Sequence, residues 1–144
     1  MDKHYLRTMS RNNTQLYYHL IFGTKHRENS IPEPIHSKLY GCIWKKCEDL
    51  SIIPIAINGT QNHIHILFKS NTTTTLASIV NGIKGLSSRW LNATMEPLKP
   101  FRWQRGYGLF TVSSKDLDMI INYIKKQKEH HSNGSVEPKW ENES

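Results

Sequence analysis

The fold of this chain is decided by residues 52–69, which read IIPIAINGTQNHIHILFK. The first part, residues 52–57, is rich in β-branched side chains and is typical of a strand. Asn58-Gly59 ends this run, and that dipeptide is a strong signal for a β-hairpin turn. The next strand follows at residues 63–69. The stretch therefore predicts two neighbouring strands joined as a hairpin.

The segments on either side complete the predicted fold. Residues 16–24 form a first strand, and Pro32 and Pro34 open a helix that runs to about residue 50. Residues 71–75 form a loop that ends in a helix N-cap, followed by a helix over 76–91. A short strand at 109–113 and a helix from 116 to about 131 come last. This order predicts an α+β, ferredoxin-like (split βαβ, RRM-like) antiparallel sheet with helices on one face and an added C-terminal helix carrying Tyr123.

Length and composition limit the function classes. The 144 residues suffice for one domain, expected at 14–131, with an N-terminal extension at 1–13 and a polar, disordered tail at 132–144. Nineteen Lys and Arg against twelve Asp and Glu give a net charge of +7, which favours nucleic acid first and an acidic membrane surface second. No apolar run is long enough to span a bilayer, and no apolar signal-peptide core is present. Cys42 and Cys47 are expected to be free thiols in a reducing cytoplasm.

The sequence Asn62-His63-Ile64-His65 offers a metal-binding pattern. Side chains alternate along a strand, so His63 and His65 point to the same face, about 7 Å apart. Two such imidazoles can converge on a divalent ion, with a third ligand supplied from elsewhere. The spacing is equally compatible with two ordinary histidines on a half-exposed strand.

Tyr123 and Gln127 lie four residues apart on the last predicted helix. At that spacing the two side chains lie one above the other, on the flank of an apolar stripe, where they can share a site. The ordinary alternative is a tyrosine that packs at the margin of the core beside an exposed glutamine.

Cations alternate with aromatic rings in three parts of the chain. Phosphates can pair with the cations, and unstacked bases can stack on the rings, as in single-stranded nucleic-acid binding. The alternative is a solvated basic face with core aromatics, an interpretation that suits Trp44 and Trp90 better than Trp103. The sequence contains no Gly-rich phosphate loop, no paired-cysteine zinc spacing and no serine nucleophile elbow. The candidate DNA contacts are Lys25, Arg27, Lys84, Arg89, Arg102, Trp103 and Arg105.

Four pieces in this order resemble the insertion sequence 200-like transposase family, the single-tyrosine members of the HUH superfamily. The resemblance covers residues 14–131. The pieces are YYHLIFGTK at 17–25, NHIH at 62–65, WQRGYG at 103–108 with FTVS at 110–113, and YIKKQ at 123–127 followed by EHH at 129–131.

The resemblance implies both a chemistry and partners. His63, His65 and Gln127 would bind Mg²⁺ or Mn²⁺, and Tyr123 would be the nucleophile that forms a 5′-phosphotyrosine with single-stranded DNA. The DNA partner would carry imperfect hairpins near the ends of an element. The resemblance also implies a homodimer in which each active site joins the histidine pair of one subunit to the tyrosine helix of the other.

Two other functions are compatible with these residues. One is a non-catalytic, RRM-like module that binds single-stranded nucleic acid and whose histidines and tyrosine are structural. The other is a domesticated, palindrome-specific nickase, which would share the chemistry of the transposase.

Overall fold

The structure is a computed structural model that describes residues 13–128. The predicted tail at 132–144, the predicted end of the last helix after residue 128, and the predicted N-terminal extension up to residue 12 lie outside the described residues. Within 13–128, no helix is both long and apolar enough to cross a membrane.

Within residues 13–128, four strands and three complete α-helices follow one another in the predicted order. The strands are β1 (Tyr17–Gly23), β2 (Ile53–Gly59), β3 (His63–Lys69) and β4 (Gly108–Val112), and the helices are α1 (His36–Asp49), α2 (Leu76–Met95) and α3 (Leu117–Lys125). The strands form one antiparallel sheet in the order β2-β3-β1-β4. This arrangement confirms the ferredoxin-like fold. The predicted N-cap is also confirmed, because the Thr75 hydroxyl accepts a hydrogen bond from the Ser78 N–H at 3.2 Å.

The two faces of β3 serve different parts of the molecule. Ile64, Ile66 and Phe68 point into the main core, which α1 and α2 cover as predicted. Leu67 points to the opposite face and packs against α3 in a smaller core. Because side chains alternate, His63 and His65 share the face of Leu67, and both are fully buried. The added helix therefore covers the histidine-bearing face.

The connection between β2 and β3 differs from the prediction. Asn58 and Gly59 lie inside β2, and the turn is formed by residues 60–62. The Thr60 N–H donates to the His63 carbonyl at 3.0 Å, which closes the turn. Gly59 has no positive φ. A methyl group at this position would instead overlap the carbonyl oxygen of His63 and lie 3.0 Å from the Ile64 Cα. The glycine is required by the close approach of two backbones, and the hairpin prediction was right for a different physical reason.

Replacing Gly59 with alanine should lower the free energy of unfolding by about 1–3 kcal/mol, since the strands must separate to admit the methyl group. Thermal or urea unfolding measures this change. Gly41→Ala is the matched control, because nothing lies within 4 Å of a methyl group at that helical position. The control should be neutral or stabilising by up to about 1 kcal/mol. Equal stability of Gly59→Ala and the wild type would contradict the overlap.

The position of Trp44 also differs from the prediction. The sequence pattern predicts a helix-core position for this residue, whereas in the structure it is 40% exposed. Leu39, Ile43 and Cys47 form the buried stripe of α1, and Trp44 lies beside that stripe. Trp90 packs at the edge of the main core, as expected. Both cysteines are free, and burial raises the pKa of the Cys47 thiol to about 12.

Candidate active site and nucleic-acid interface

The four residues of the predicted site come together within one chain, between β3 and α3. His63, His65 and Gln127 are fully buried, and Tyr123 is 7% exposed. The ring centroids of His63 and His65 lie 5.2 Å apart, and those of His65 and Tyr123 lie 5.8 Å apart. The alternative of an exposed glutamine is wrong. The site is a compact cluster of two imidazoles, a phenol and a carboxamide.

Helix α3 is positioned by an apolar stripe and by one polar anchor. Ile120 and Ile124 pack on the sheet. At the end of the helix, the Asn58 side-chain amide donates to the carbonyls of Ile124 and Lys125, both at 3.0 Å. These carbonyls belong to the last turn, where the regular hydrogen-bond ladder of the helix ends. Lys128 Nζ in turn donates to Asn58 Oδ1 at 3.2 Å. The anchor holds the end of α3 against β2, next to Gln127.

The imidazole of His63 is oriented by the turn that precedes it. Its Nδ1 lies 2.8 Å from Asn62 Oδ1 and 3.0 Å from Thr60 Oγ1. The Asn62 amide nitrogen donates to Asn29 Oδ1 and to the Arg27 carbonyl, at 3.2 and 3.4 Å, so its oxygen must face the ring. An acceptor oxygen this close favours a hydrogen on Nδ1. In neutral His63 the lone pair is then on Nε2.

Gln127 presents an oxygen to that lone pair. Its side-chain nitrogen donates to the Tyr123 carbonyl at 3.2 Å, which turns Oε1 towards His63. His63 Nε2 and Gln127 Oε1 lie 3.2 Å apart. Two acceptors at this distance need a proton or a cation between them. Neighbouring ligands of an octahedral divalent ion with bonds of about 2.1 Å are separated by about 3 Å. The pair therefore fits a shared cation as well as a protonated His63.

The donor set is unusual in composition. Within residues 13–128, no group of three or more His, Cys, Asp or Glu side chains could hold a metal ion. His63, His65 and Gln127 supply only two such residues, and the third donor is an amide oxygen. Imidazole and amide ligands carry no charge, so a bound divalent cation would keep its full charge for a phosphate.

His19 was missed by the sequence reasoning. It is fully buried, and its Nε2 lies 2.8 Å from His65 Nδ1. Imidazole ligands of metals usually donate their second ring N–H to a neighbouring acceptor. His19 occupies that position for His65, as Asn62 does for His63. The signal was available, because β1 lies beside β3 in a ferredoxin-like sheet, and the odd-numbered residues of both strands then share a face.

The predicted basic residues border a series of depressions beyond the end of β1. Three adjoining depressions, of about 410, 380 and 390 Å³, all include Arg102 in their walls. Lys25 lines the first two, and Arg105 lines the second. These three side chains are exposed. Arg89 is exposed on α2, whereas Arg27 is half-buried.

Lys84 and Trp103 have structural contacts as well. Lys84 Nζ donates to the carbonyls of Gln104 and Gly106, at 2.8 and 3.0 Å, and burial lowers the pKa of its ammonium group. The indole N–H of Trp103 donates to Ser87 Oγ at 2.9 Å, and its ring packs edge-on against Phe22. Both residues shape the loop that carries Arg102 and Arg105, while also lining the third depression.

Comparison with known proteins supplies the context for this site. The sequence profile of the family described as "Transposase IS200 like" matches residues 12–127. The transposases for insertion sequence element IS200 of Salmonella typhimurium and Salmonella typhi are each 29% identical over 122 residues, which cover 81% of this chain and 80% of each relative.

Two solved structures share the fold. A candidate transposase from Deinococcus radiodurans superposes with a TM-score of 0.67 at 23% identity, over 81% of this chain and 94% of that one. A REP-associated tyrosine transposase bound to a REP hairpin superposes with a TM-score of 0.59 at 17% identity, over 88% of this chain and 73% of that one.

Proposed function

The chain belongs to the IS200-like transposase family, and from that premise we propose that it cleaves and rejoins single-stranded DNA at hairpin-marked element ends through a covalent bond to Tyr123. One observation carries the proposal. The Tyr123 ring lies against His65, and the carbonyl of the same tyrosine accepts a hydrogen bond from Gln127, which faces His63. A potential nucleophile and a potential cation site thus occupy one cluster.

The proposed reaction is a transesterification. The Tyr123 oxygen forms a bond to the scissile phosphorus as the bond to the 3′-oxygen breaks. The phenolic proton leaves the tyrosine, and the departing 3′-oxygen gains one. The product is a 5′-phosphotyrosine and a free 3′-hydroxyl, and attack by a 3′-hydroxyl on the phosphotyrosine rejoins a strand. Because the ester bond is conserved in the protein link, no nucleotide cofactor is needed.

His63, His65 and Gln127 are the proposed ligands of Mg²⁺ or Mn²⁺. When bound, the cation supplies Lewis-acid polarisation of the scissile phosphate. The facing lone pairs of His63 and Gln127 support this assignment. Asn62 and His19 hold the two imidazoles in fixed orientations, so that little rearrangement of these rings is needed when the DNA arrives.

The proposed DNA partner is a single strand that carries an imperfect hairpin. The similarity in fold to a transposase bound to a REP hairpin agrees with this partner. We assign backbone contacts to the exposed cations Lys25, Arg89, Arg102 and Arg105, and further contacts to Arg27, Lys84 and Trp103. Lys84 would act in part through the loop carbonyls that it holds.

The homodimer with active sites shared between subunits stays a prediction. In the structure, one chain supplies all four site residues, so sharing would require α3 to exchange between two subunits.

The proposal is tested by denaturing gel electrophoresis of the protein with labelled single-stranded DNA from its own element ends. In Mg²⁺ or Mn²⁺ we expect a band at the combined mass of protein and DNA, and in EDTA we expect none. Native gels run in parallel measure hairpin binding. Hairpin binding without an adduct in either metal would contradict the proposal and favour the RRM-like binding module. A palindrome-specific nickase would give the same adduct, and only the DNA that flanks the gene distinguishes it from a transposase.

A further inference from the structure

The Arg27 side chain folds back over the end of β1, on the face that carries the histidines. A methyl group at Gly23 would lie 2.7 Å from Arg27 Nη1 and 3.4 Å from its Cδ. Gly23 pairs directly with His63 in the β1–β3 ladder. Residues opposite each other in such a ladder share a face, with their Cβ positions about 5 Å apart. The guanidinium therefore covers Gly23 on the face of the sheet that also carries His63.

The backbone that delivers this side chain is in an unusual conformation. His26 and Arg27 have φ values of 59° and 55°, in the left-handed region that non-glycine residues rarely adopt. Strained residues of this kind are concentrated at functional sites, where the surrounding structure holds them in place. Here Asn62 is part of that structure, since its amide donates to the Arg27 carbonyl while its oxygen faces His63 Nδ1.

Arg27 also has unused hydrogen-bonding capacity. Its Nη1 is buried, and within residues 13–128 this atom has no hydrogen-bond partner. A buried donor without an acceptor is unfavourable, all the more so on a cation. The guanidinium matches the geometry of a phosphate group, whose oxygens can accept from it.

We propose that Arg27 is a catalytic residue that donates hydrogen bonds to a non-bridging oxygen of the scissile phosphate while Tyr123 attacks. This inference rests on the proposed function. The guanidinium acts only as a hydrogen-bond donor and takes no part in proton transfer. It stabilises the charge that the phosphate oxygens carry in the transition state, and Gly23 is glycine because a side chain there would displace it.

The first test compares Arg27→Ala and Arg27→Lys with the wild type. We expect single-turnover adduct formation, at saturating Mg²⁺, to fall by about 10²–10³-fold in Arg27→Ala. Arg27→Lys keeps the positive charge but lacks the paired N–H donors of the guanidinium, so its decrease in rate should be smaller than that of Arg27→Ala. Hairpin affinity should change by no more than about threefold, because one phosphate contact contributes little to the total. Lys45→Ala, at an exposed position on α1, is the control and should match the wild type.

The second test identifies the atom that Arg27 contacts. A methylphosphonate at the scissile position removes the anionic oxygen, so the rate difference between wild type and Arg27→Ala should shrink to less than about fivefold. Gly23→Ala should slow the reaction of the ordinary substrate, and it should add little to Arg27→Ala because both variants lose the same contact.

If the wild type and Arg27→Ala form the adduct at the same rate, this inference is overturned and the proposed function stands. Equal losses on the charged and the neutral substrate would also overturn it. Failure of the wild type itself to form an adduct would instead overturn the proposed function, and the role of Arg27 with it.

Discussion

Tyr123→Phe should abolish the covalent DNA adduct and leave hairpin affinity within about threefold of the wild type. The substitution removes one oxygen and retains the ring that packs against His65 at 5.8 Å, so the fold should be unaffected. In the proposed reaction the phenolic oxygen is the atom that bonds to phosphorus, so without it no protein–DNA bond can form. Denaturing gels measure the adduct, and native gels or fluorescence anisotropy measure binding.

Tyr40→Phe is the matched control for this experiment. Tyr40 is a half-buried tyrosine on α1, where burial raises the pKa of its phenol. Its hydroxyl lies 3.4 Å from His36 Nδ1, and its ring, which Tyr40→Phe keeps, lies 5.9 Å from Lys128 Nζ. The Tyr40→Phe protein should form the adduct at the wild-type rate. An adduct that persists in Tyr123→Phe would sink the assignment of the nucleophile.

His63→Ala should give the second largest effect, a fall of about 10³-fold in the rate of adduct formation. This is the size of effect expected when a group that stabilises charge in the transition state is removed. The variant removes the Nε2 lone pair that faces Gln127. Asn62→Ala leaves the imidazole in place and removes the oxygen that orients it, so a loss of about 10–100-fold is expected. Raising the Mn²⁺ concentration should restore much of the activity of Asn62→Ala and little of that of His63→Ala. Rates measured over a Mn²⁺ titration test this difference. A wild-type rate in His63→Ala would contradict the proposed metal site.

Mixing the two inactive variants tests whether subunits share their sites. His63→Ala retains Tyr123, and Tyr123→Phe retains both histidines. If each chain completes its own site, as the geometry of a single chain suggests, the mixture should remain inactive. An adduct in the mixture would show that α3 exchanges between subunits, as the resemblance to the family implies.

Local patterns predicted the part of the site that lies on one strand. The bounds of β3 agree with the sequence prediction, and the alternation of side chains places His63 and His65 on one face. The four-residue spacing likewise predicted that Tyr123 on α3 and Gln127, two residues beyond the end of α3, would lie together, and the Gln127 side-chain nitrogen donates to the Tyr123 carbonyl. These predictions depend only on the geometry of one element, which repeats every two residues in a strand and about every 3.6 in a helix.

Contacts between distant elements were not predicted. His19 meets His65 only because β1 lies next to β3, and the Arg27 side chain reaches the same face only through two left-handed residues. Neither fact is encoded in a local hydrophobic pattern. The turn of the β2–β3 connection was misplaced for the same reason, since the need for Gly59 arises from the backbone across the sheet. Sequence periodicity gives faces, whereas tertiary packing determines which faces meet.

The division of β3 into two faces has an evolutionary consequence. Ile64, Ile66 and Phe68 hold the molecule together, whereas His63 and His65 are buried on the other side of the same seven residues. Point substitutions in copies of the gene that escape selection should therefore separate into two kinds. One kind yields a well-folded protein that still occupies its DNA without cutting it and competes with intact copies. The other yields a protein that is degraded. A single-codon insertion in this strand would produce both defects at once, because it exchanges the two faces.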